Sequence, residues 1–562
     1  MKQKIMFGEW LPDQPGVMGG VTDAKNCYPV TNGYAPIKSE ADFSNEADTD
    51  LIAVFAGKYD SVTTLFAASS SKVYKFDNSN FNLNALNTTS YSAIEVWDIA
   101  QYDSKMILAN GVNKLQSITL NVTPQPIGDL SASAPVAKYV TVVRDFVVAG
   151  NDGTETSKVY WSDINDETDW TPAATSQSDF QILPDGGDIT GLAGGEYGLI
   201  FLERAIYRMS YTGSPFFFQF DAISRTLGCI SNGSITQYGN LTYFLADDGF
   251  YVCDGQSTRS IGAEKINRWF FSNAIPGEIA TKMSSTVDPV NKLIYWKFNN
   301  IFGTNSIVIY SIELNKWSYA ETTATAVAFG LTPSSTLEQI DVFFFNNATP
   351  QTGTYTQSGT TVTVTLTAHK LETNARMKFD ATSGAGVDGT FAITKVDANT
   401  FTFTAAASAT ISTSNCTIIL PDIDVNKNNP NNEIPLDSRV WSGGVLLLLG
   451  VTGKKIIAFS GQQPKTANIS TGDIDIGRST ITLARPILDS GGGGTSRAFI
   501  APASRDNLYE QPVYEDDVRA DAENRVSLRS NGDYHRLRMT PEGTTWKTAV
   551  GIEVDIVKQG DR

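Results

Sequence analysis

Short apolar runs recur in pairs along this chain, and a polar or glycine-bearing turn separates the two members of each pair. Within a run the apolar residues are either continuous or alternate with polar ones, as in buried and half-buried β-strands. The pairs therefore predict β-hairpins. They occupy 64–76, 106–118, 146–162, 199–209, 243–253, 293–298 with 306–312, 325–331 with 341–345, and 445–459.

The second strands of the first five hairpins repeat at a nearly constant interval. Taken at Tyr74, Gln116, Tyr160, Tyr207 and Tyr251, they are 42 to 47 residues apart. A repeat of roughly 40–50 residues made of strands is typical of β-propeller blades. A helical repeat would instead space its apolar residues with a period of 3.6. We therefore predict an all-β fold centred on a β-propeller of about six to eight blades.

Residues 351–420 interrupt this interval and follow a different pattern. Polar and apolar residues alternate strictly in this segment, which is rich in Thr and Val. Asp388, Gly389, Asp397 and Asn399 supply turns. When the length of this segment is subtracted, the next hairpin follows at the same interval as the earlier hairpins. We therefore predict a small antiparallel domain, a β-sandwich or a barrel, inserted into the propeller.

The same pattern predicts five segments along the chain. Residues 1–50 form an N-terminal platform segment, 51–350 the main part of the propeller, 351–420 the inserted domain, 421–465 the completion of the propeller, and 466–562 a C-terminal platform segment. No run of about 18 apolar residues predicts a membrane span. The first residues lack the apolar core of a signal peptide.

The chain is acidic, with a net charge of −17 and only 18% charged residues. This net negative charge argues against a protein that binds nucleic acid through a basic surface. It favours either simple solubility or repulsion of a passing polyanion. The four cysteines, Cys27, Cys229, Cys253 and Cys416, lack metal-site spacing and are predicted to be buried apolar residues. Only Cys229 and Cys253 are candidates to meet in space.

Candidate catalytic residues are few, since the chain has two histidines. We expect His369 to lie at a strand end on the surface or in a turn, and His535 to face a neighbouring strand. A serine triad would need one of them, and neither has a nucleophile elbow nearby. The sequence therefore predicts a protein that is not an enzyme and has no catalytic, cofactor-binding or metal-binding residues.

Two further segments resemble known sites only superficially. In residues 162–170, Asp163, Asn165 and Glu167 suggest a calcium loop, but Thr168 and Ala174 occupy positions where that loop needs Gly and Glu. A capped polar turn is the preferred interpretation. The glycine-rich segment 191–198 precedes a predicted strand and lacks a Lys-Ser/Thr pair, so it predicts a turn rather than a phosphate loop.

Two clusters of residues suggest contacts. The aromatic run 214–221 predicts buried strand packing or, where exposed, a contact between subunits. Arg525, Arg529, Arg536 and Arg538 form a cationic set near the C-terminus. We expect solvated strand faces there, with salt bridges to an acidic neighbouring subunit as the alternative and DNA binding disfavoured by the overall charge.

Several segments, taken in order, resemble tail nozzle (tail-hub) proteins of short-tailed bacteriophages. Residues 24–37 contain Ala24, Asn26 and Pro29 followed by Gly33, Tyr34 and Pro36, similar to the opening of those proteins. Residues 158–172, 198–220 and 224–255 resemble successive blades. Residues 525–560 resemble the closing strands, with Gly532, Tyr534, Arg536 and Gly551 in place. The resemblance covers most of the chain except the insert.

That resemblance implies a structural protein of the virion, assembled in the host cytoplasm. It implies a homohexameric nozzle ring that extends the portal–adaptor channel and conducts double-stranded DNA during ejection. The implied partners are the adaptor ring and tail fibre, spike or needle proteins, with no cofactor. The alternative function is a glycan-binding or glycan-cleaving propeller that acts on the host surface, and the third is a propeller that binds other proteins.

Overall fold

A computed structural model describes residues 1–333, 350–419, 444–490 and 497–558, except positions 61, 79, 80, 93, 121, 123, 124, 370, 372, 374 and 462. The described chain is nearly all β and consists of many antiparallel sheets, so the predicted all-β class is confirmed. Residues 1–50 contribute five short strands. They are β1 (Lys2–Met6), β2 (Val21–Lys25), β3 (Cys27–Val30), β4 (Gly33–Pro36) and β5 (Ala41–Asp42).

Five consecutive segments then form five separate four-stranded antiparallel sheets, here called arrays 1 to 5. Array 1 contains β6 (Leu51–Tyr59), β7 (Val62–Ser69), β8 (Val73–Asp77) and β9 (Asn82–Ala85). Array 2 contains β10 (Asp98–Tyr102), β11 (Lys105–Ala109), β12 (Gln116–Thr119) and β13 (Ile127–Asp129). Array 3 contains β14 (Tyr139–Val143), β15 (Phe146–Gly150), β16 (Lys158–Trp161) and β17 (Asp179–Ile182). Array 4 contains β18 (Ile189–Ala193), β19 (Gly198–Leu202), β20 (Ile206–Gly213) and β21 (Phe217–Ser224). Array 5 contains β22 (Thr236–Tyr238), β23 (Leu241–Ala246), β24 (Gly249–Cys253) and β25 (Thr258–Ser260).

Short helical segments follow array 5 and precede the next sheet. They are α1 (Asn267–Asn273), a 3₁₀ turn at Pro276–Glu278 and α2 (Ile279–Lys282); two other 3₁₀ turns span Gly16–Met18 and Asn232–Ser234. Array 6 contains β26 (Ser284–Asp288), β27 (Leu293–Asn299), β28 (Asn305–Ser311) and β29 (Lys316–Thr322). Among the described residues, no helix is long and apolar enough to cross a membrane.

Array 7 is assembled from three distant parts of the chain. Its first strand, β30 (Ala326–Leu331), is followed by the insert strands β31 (Gln351–Thr365), β32 (Arg376–Ala381), β33 (Gly389–Ala392), β34 (Thr394–Lys395) and β35 (Thr400–Ile419). β30 pairs with β36 (Leu446–Thr452), β36 with β37 (Lys455–Ala458), and β37 with β5 from the N-terminal segment. The prediction that all of residues 1–50 belong to a platform is therefore wrong for β5.

The predicted hairpins of the seven arrays are confirmed as the second and third strands of each. These central strands are buried on both faces, as in β15 and β19, and therefore give the strongest apolar signal. Within the described residues β30 pairs with β36, and the predicted pairing of 325–331 with 341–345 is not tested. Residues 341–345 lie outside the described part of the chain.

Both chain ends join array 6 in one 14-stranded sheet. The C-terminal strands are β38 (Asn468–Thr471), β39 (Ile474–Ser490), β40 (Arg497–Arg505), β41 (Val518–Arg519), β42 (Val526–Glu542) and β43 (Trp546–Lys558). β2 pairs with β38, while β1, β4 and β39 all pair with β43. The backbone amide of Asn26 donates to the carbonyl of Tyr319 at 2.7 Å, where β2 runs parallel to β29.

The largest hydrophobic cluster lies where this sheet meets array 5. It contains the fully buried Trp10, Trp296 and Trp317. The indole nitrogens of Trp296 and Trp317 donate to the carbonyls of Ser234 and Ile261 at 2.8 and 3.2 Å. Because buried indole N–H groups need acceptors, these bonds fix how array 5 packs on array 6.

The insert strands β31 to β35 form one five-stranded antiparallel sheet with a hydrophobic cluster of its own. Its strands pair with no strand of the other described sheets. The described insert strands form one sheet, which departs from the two sheets of a sandwich and leaves the barrel alternative. The long β31–β35 ladder is interrupted by irregularities at Tyr355/Gln357 and Gly359/Thr361, and such bulges let one sheet bend around a shared core.

Candidate functional site

Both histidines are buried and hydrogen bonded. His369 directly follows the turn at 367 and 368, so of its two expected positions the turn is found and the surface is not. Its Nε2 lies 2.9 Å from the carbonyl of Asp397, and its Nδ1 accepts from the amide of Leu371 at 3.0 Å. His535 lies on β42, close to Ser479 on the neighbouring strand β39, with the two side chains 3.2 Å apart. Burial lowers the pKa of His535. These hydrogen bonds hold neighbouring turns and strands together inside the protein.

The acidic segment 162–170 is a turn capped by its own side chains. Asp163 Oδ1 accepts from the amides of Ile164 and Gln177 at 2.8 and 2.7 Å, and Asp166 Oδ1 accepts from the amide of Thr168 at 2.9 Å. Glu167 forms an ion pair with Lys105. The capped-turn interpretation is confirmed. Among the described residues, no group of three or more His, Cys, Asp and Glu side chains is arranged to hold a metal.

The glycine-rich segment 191–198 connects β18 to β19, as a strand-to-strand turn. The four cysteines are buried and free. Cys229 and Cys253 belong to one hydrophobic cluster, which confirms that they behave as apolar residues. Burial raises the pKa of Cys229 to about 11, so this thiol stays protonated at neutral pH.

The aromatic run divides between the core and the surface. Phe218 is buried against Phe146 and Trp161, with ring centroids 5.0 and 5.3 Å away. Phe216 at the preceding turn is 79% exposed. Phe217 and Phe220 are half-buried and pack against the same cluster, so the predicted strand packing is confirmed for these residues and Phe218 but not for Phe216.

The cationic set near the C-terminus also divides. Arg525 and Arg529 are exposed, as expected. Arg536 is largely buried and paired with Asp473 at 2.7 Å, and Arg538 pairs with Asp517 at 3.1 Å. These two cations are thus neutralised within the chain, contrary to the solvated faces predicted for the set.

Exposed acids recur at equivalent turns of four consecutive arrays. The turn between the first and second strands carries Asp60 in array 1, Asp103 in array 2, Asp145 in array 3 and Glu196 in array 4. We call these four residues the acidic rim. Acids at equivalent turns of antiparallel sheets with the same strand order place negative charge on one edge of the structure.

Hydrogen bonds join the turns of the acidic rim to one another. The Gln101 side chain accepts from the amide of Lys58 at 3.1 Å and donates to its carbonyl at 2.6 Å, which links arrays 1 and 2. The Tyr102 hydroxyl donates to the carbonyl of Asp145 at 3.1 Å. The amide of Arg144 donates to the carbonyl of Gly195 at 2.8 Å. The four turns therefore form one contiguous edge.

A cavity of about 680 Å³ lies where several arrays present their first strands. The strand β30 packs against both β6 and β26, so array 7 lies between arrays 1 and 6. The lining comprises residues 50–54, 94–99, 192, 232, 233, 235, 281–285, 297, 299 and 325–328.

Lys297 is the most deeply buried charged residue of this lining, at 1% exposure. Its Nζ donates to the carbonyl of Lys282 at 3.3 Å and to Oδ1 of Asn299 at 2.5 Å. The amide of Asn299 in turn donates to Glu278 Oε2 at 2.7 Å. Burial lowers the pKa of Lys297 to about 8, although the Glu278 carboxylate opposes this shift.

Asp98 lies on another part of the same lining and carries the opposite charge to Lys297. It begins β10, and its Oδ2 accepts from the amide of Val140 at 2.8 Å. Burial raises the pKa of Asp98 to about 6, while the Val140 amide and the Asn232 side chain oppose the shift. Sequence reasoning singled out neither Asp98 nor Lys297. The one available signal was a lysine inside the apolar run LIYWKF.

No protein-family model matches this chain, and no curated protein matches it at a significant level.

Proposed function

We propose that this chain is a structural subunit of a short bacteriophage tail, in which six copies form a nozzle ring that conducts double-stranded DNA. The acidic rim carries this proposal. Four exposed acids lie on one contiguous edge, and Arg144, which pairs with Glu196 at 3.7 Å, offsets part of their charge. The net negative charge that remains repels DNA phosphates. With the rim facing the ring axis, the duplex slides past without binding.

The seven arrays are, in this proposal, the blades of a seven-bladed propeller. Three observations support this arrangement: arrays 1 to 6 follow one another in chain order, β30 packs between β6 and β26, and five arrays share one cavity lining. The N-terminal strand β5 completes array 7, so segments distant in sequence close the ring of blades.

The 14-stranded sheet supplies the platform of each subunit. It joins both chain ends to array 6 through continuous backbone hydrogen bonds, so it suits a rigid layer that transmits load. In this proposal the adaptor ring and the tail fibre, spike or needle proteins bind to this layer. The insert is a further surface that these partners contact. The protein belongs to the virion, is assembled in the host cytoplasm, and catalyses no reaction.

The alternative function, a glycan-binding or glycan-cleaving propeller, would use the cavity. Glycoside cleavage needs two carboxyl groups that flank the bond. The charged lining instead mixes Asp50, Glu95 and Asp98 with Lys282 and Lys297. This mixed lining favours the structural proposal over glycan cleavage.

Charge reversal of the rim tests the proposal. A variant with Asp60, Asp103, Asp145 and Glu196 all changed to Lys is expected to slow DNA ejection, measured with a DNA-binding dye on purified particles. The control changes Glu510, Glu515, Asp516 and Glu523, four exposed acids near the C-terminus, to Lys. Equal rates for wild-type and rim variants, or equal slowing in rim and control variants, would contradict an acidic channel wall.

The assembly state is tested separately. Native mass spectrometry is expected to show a species of about 365 kDa, six copies of the 60.9 kDa chain, alone or with the adaptor. Electron microscopy of the particle is expected to place this ring at the end of the tail. A stable monomer that binds or cleaves a glycan, and is absent from the particle, would refute the proposal.

A further inference from the structure

The cavity is lined by two charges of opposite sign that do not pair with each other, the buried Lys297 and the half-buried Asp98. Lys297 lies on β27 of array 6, and Asp98 begins β10 of array 2. Neither forms an ion pair with any residue that the structure describes. Burying an unpaired charge is unfavourable, so the buried Lys297 requires an explanation beyond stability, and the half-buried Asp98 lines the same cavity.

Lys297 has only neutral groups in direct contact with its ammonium. The partners are one backbone carbonyl and one amide oxygen, and an ammonium has three donors. Glu278 reaches it only through Asn299, and Lys282, which pairs with Glu278 at 2.6 Å, is a nearby cation. An anion in the cavity would therefore provide the direct counter-charge that the protein lacks at this position.

Asp98 presents the opposite requirement. Its hydrogen bonds come from the Val140 amide and the Asn232 side chain, both neutral donors. A cationic group in the cavity would stabilise this carboxylate. A purely anionic ligand satisfies Lys297 alone and a purely cationic ligand satisfies Asp98 alone, whereas a zwitterion satisfies both.

We propose that this cavity is a binding site for a short zwitterionic peptide, whose terminal carboxylate contacts Lys297 and whose terminal ammonium contacts Asp98. The volume of about 680 Å³ lies within the range of small-ligand sites. Besides the two charges, the lining offers apolar side chains, including Ile52 and Leu192, and polar ones, including Asn232 and Ser284. These suit the alternating apolar and amide groups of a peptide backbone. The inference does not depend on ring assembly.

Titration calorimetry of the full chain with trialanine and two blocked forms tests the site. N-acetyl-trialanine lacks the ammonium, and trialanine amide lacks the carboxylate. Each block is expected to weaken binding about tenfold or more, the effect of losing one charge-assisted hydrogen bond. Failure of trialanine to bind the wild-type chain, or equal affinities for the three peptides, would overturn the proposal without reference to any variant.

Two near-isosteric substitutions assign the two ends. In Lys297→Met the amide block is expected to lose its effect, while the acetyl block keeps it. In Asp98→Asn the reverse is expected. Lys292→Met makes the same chemical change at an exposed turn of array 6 and is the matched control. Retention of the amide discrimination in Lys297→Met, in a variant that melts like the control, would also overturn the assignment.

Discussion

Asp473 joins both chain ends, and its removal should destabilise the 14-stranded sheet. Its carboxylate is 1% exposed and accepts from Arg505 at 2.6 Å and from Arg536 at 2.7 and 2.9 Å. Arg505 also donates to the carbonyls of Leu508 and Glu510. The backbone amide of Asp473 donates to the carbonyl of Gly16, so this residue ties the first loop to the C-terminal strands.

The cost of Asp473→Asn follows from what remains buried. Arg505 and Arg536 are 8% and 17% exposed, so both guanidinium groups would stay largely out of water without a counter-charge. Breaking a buried pair by removing one partner costs about 3–5 kcal/mol. Because asparagine keeps one acceptor oxygen, we expect about 3 kcal/mol, a substantial part of a typical free energy of unfolding of about 5–15 kcal/mol.

Urea unfolding followed by tryptophan fluorescence measures this loss, since Trp10, Trp296 and Trp317 report on the same sheet. The midpoint should fall while the denaturant slope stays constant. Asp506→Asn is the control, because Asp506 pairs with Arg478 at 3.4 Å with both side chains about half exposed. It should cost less than about 1 kcal/mol. Equal losses for the two variants would refute the reasoning.

Three further changes probe other parts of the structure. The pKa of Lys297 is about 8 in the folded protein and 10.5 ordinarily, so at pH values between these two the side chain is protonated mainly in the unfolded protein. The free energy of unfolding should therefore rise with pH across this range by up to about 3 kcal/mol. Urea titrations should show this rise in the wild type and lose it in Lys297→Met; a variant that keeps the rise would contradict the buried-lysine argument. Burial lowers the pKa of His535, so stability should fall as pH drops below 6.5, and His535→Gln should flatten that dependence in the same assay. Gly33 has a φ of +150°, and an added Cβ would lie 2.0 Å from the carbonyl oxygen of Ala549. Gly33→Ala should therefore lower the free energy of unfolding by about 2 kcal/mol or more, measured by thermal unfolding. An unchanged melting temperature would count against this backbone geometry.

The elements most visible in the sequence were the central strands of the arrays. β15 and β19 are buried throughout, and their continuous apolar runs need no tertiary information to be recognised. The outer strands were harder to find. β17 is exposed at every position, so its backbone pairing with β16 leaves no hydrophobic pattern in the sequence.

The candidate site was less predictable than the fold. An acidic surface was expected from the net charge, but its acids could not be selected among 60 aspartates and glutamates. Only the hydrogen bonds between neighbouring turns show that Asp60, Asp103, Asp145 and Glu196 lie along one edge. The cavity was not predicted, because its lining comes from segments nearly 280 residues apart.

By itself, the sequence determined the all-β class, the interval of the hairpins and the position of the insert, because each depends on side-chain patterns within a few dozen residues. The tertiary structure decided which distant strands pair. β30 pairs with β36 across the insert, β5 completes the same array, and β2 joins β29 to the C-terminal strands. Backbone hydrogen bonds make these pairings and are nearly independent of side-chain identity, so a local pattern does not specify the partner. The same long-range pairing brings Asp98 and Lys297 to one cavity, where burial rather than sequence gives each its unusual pKa.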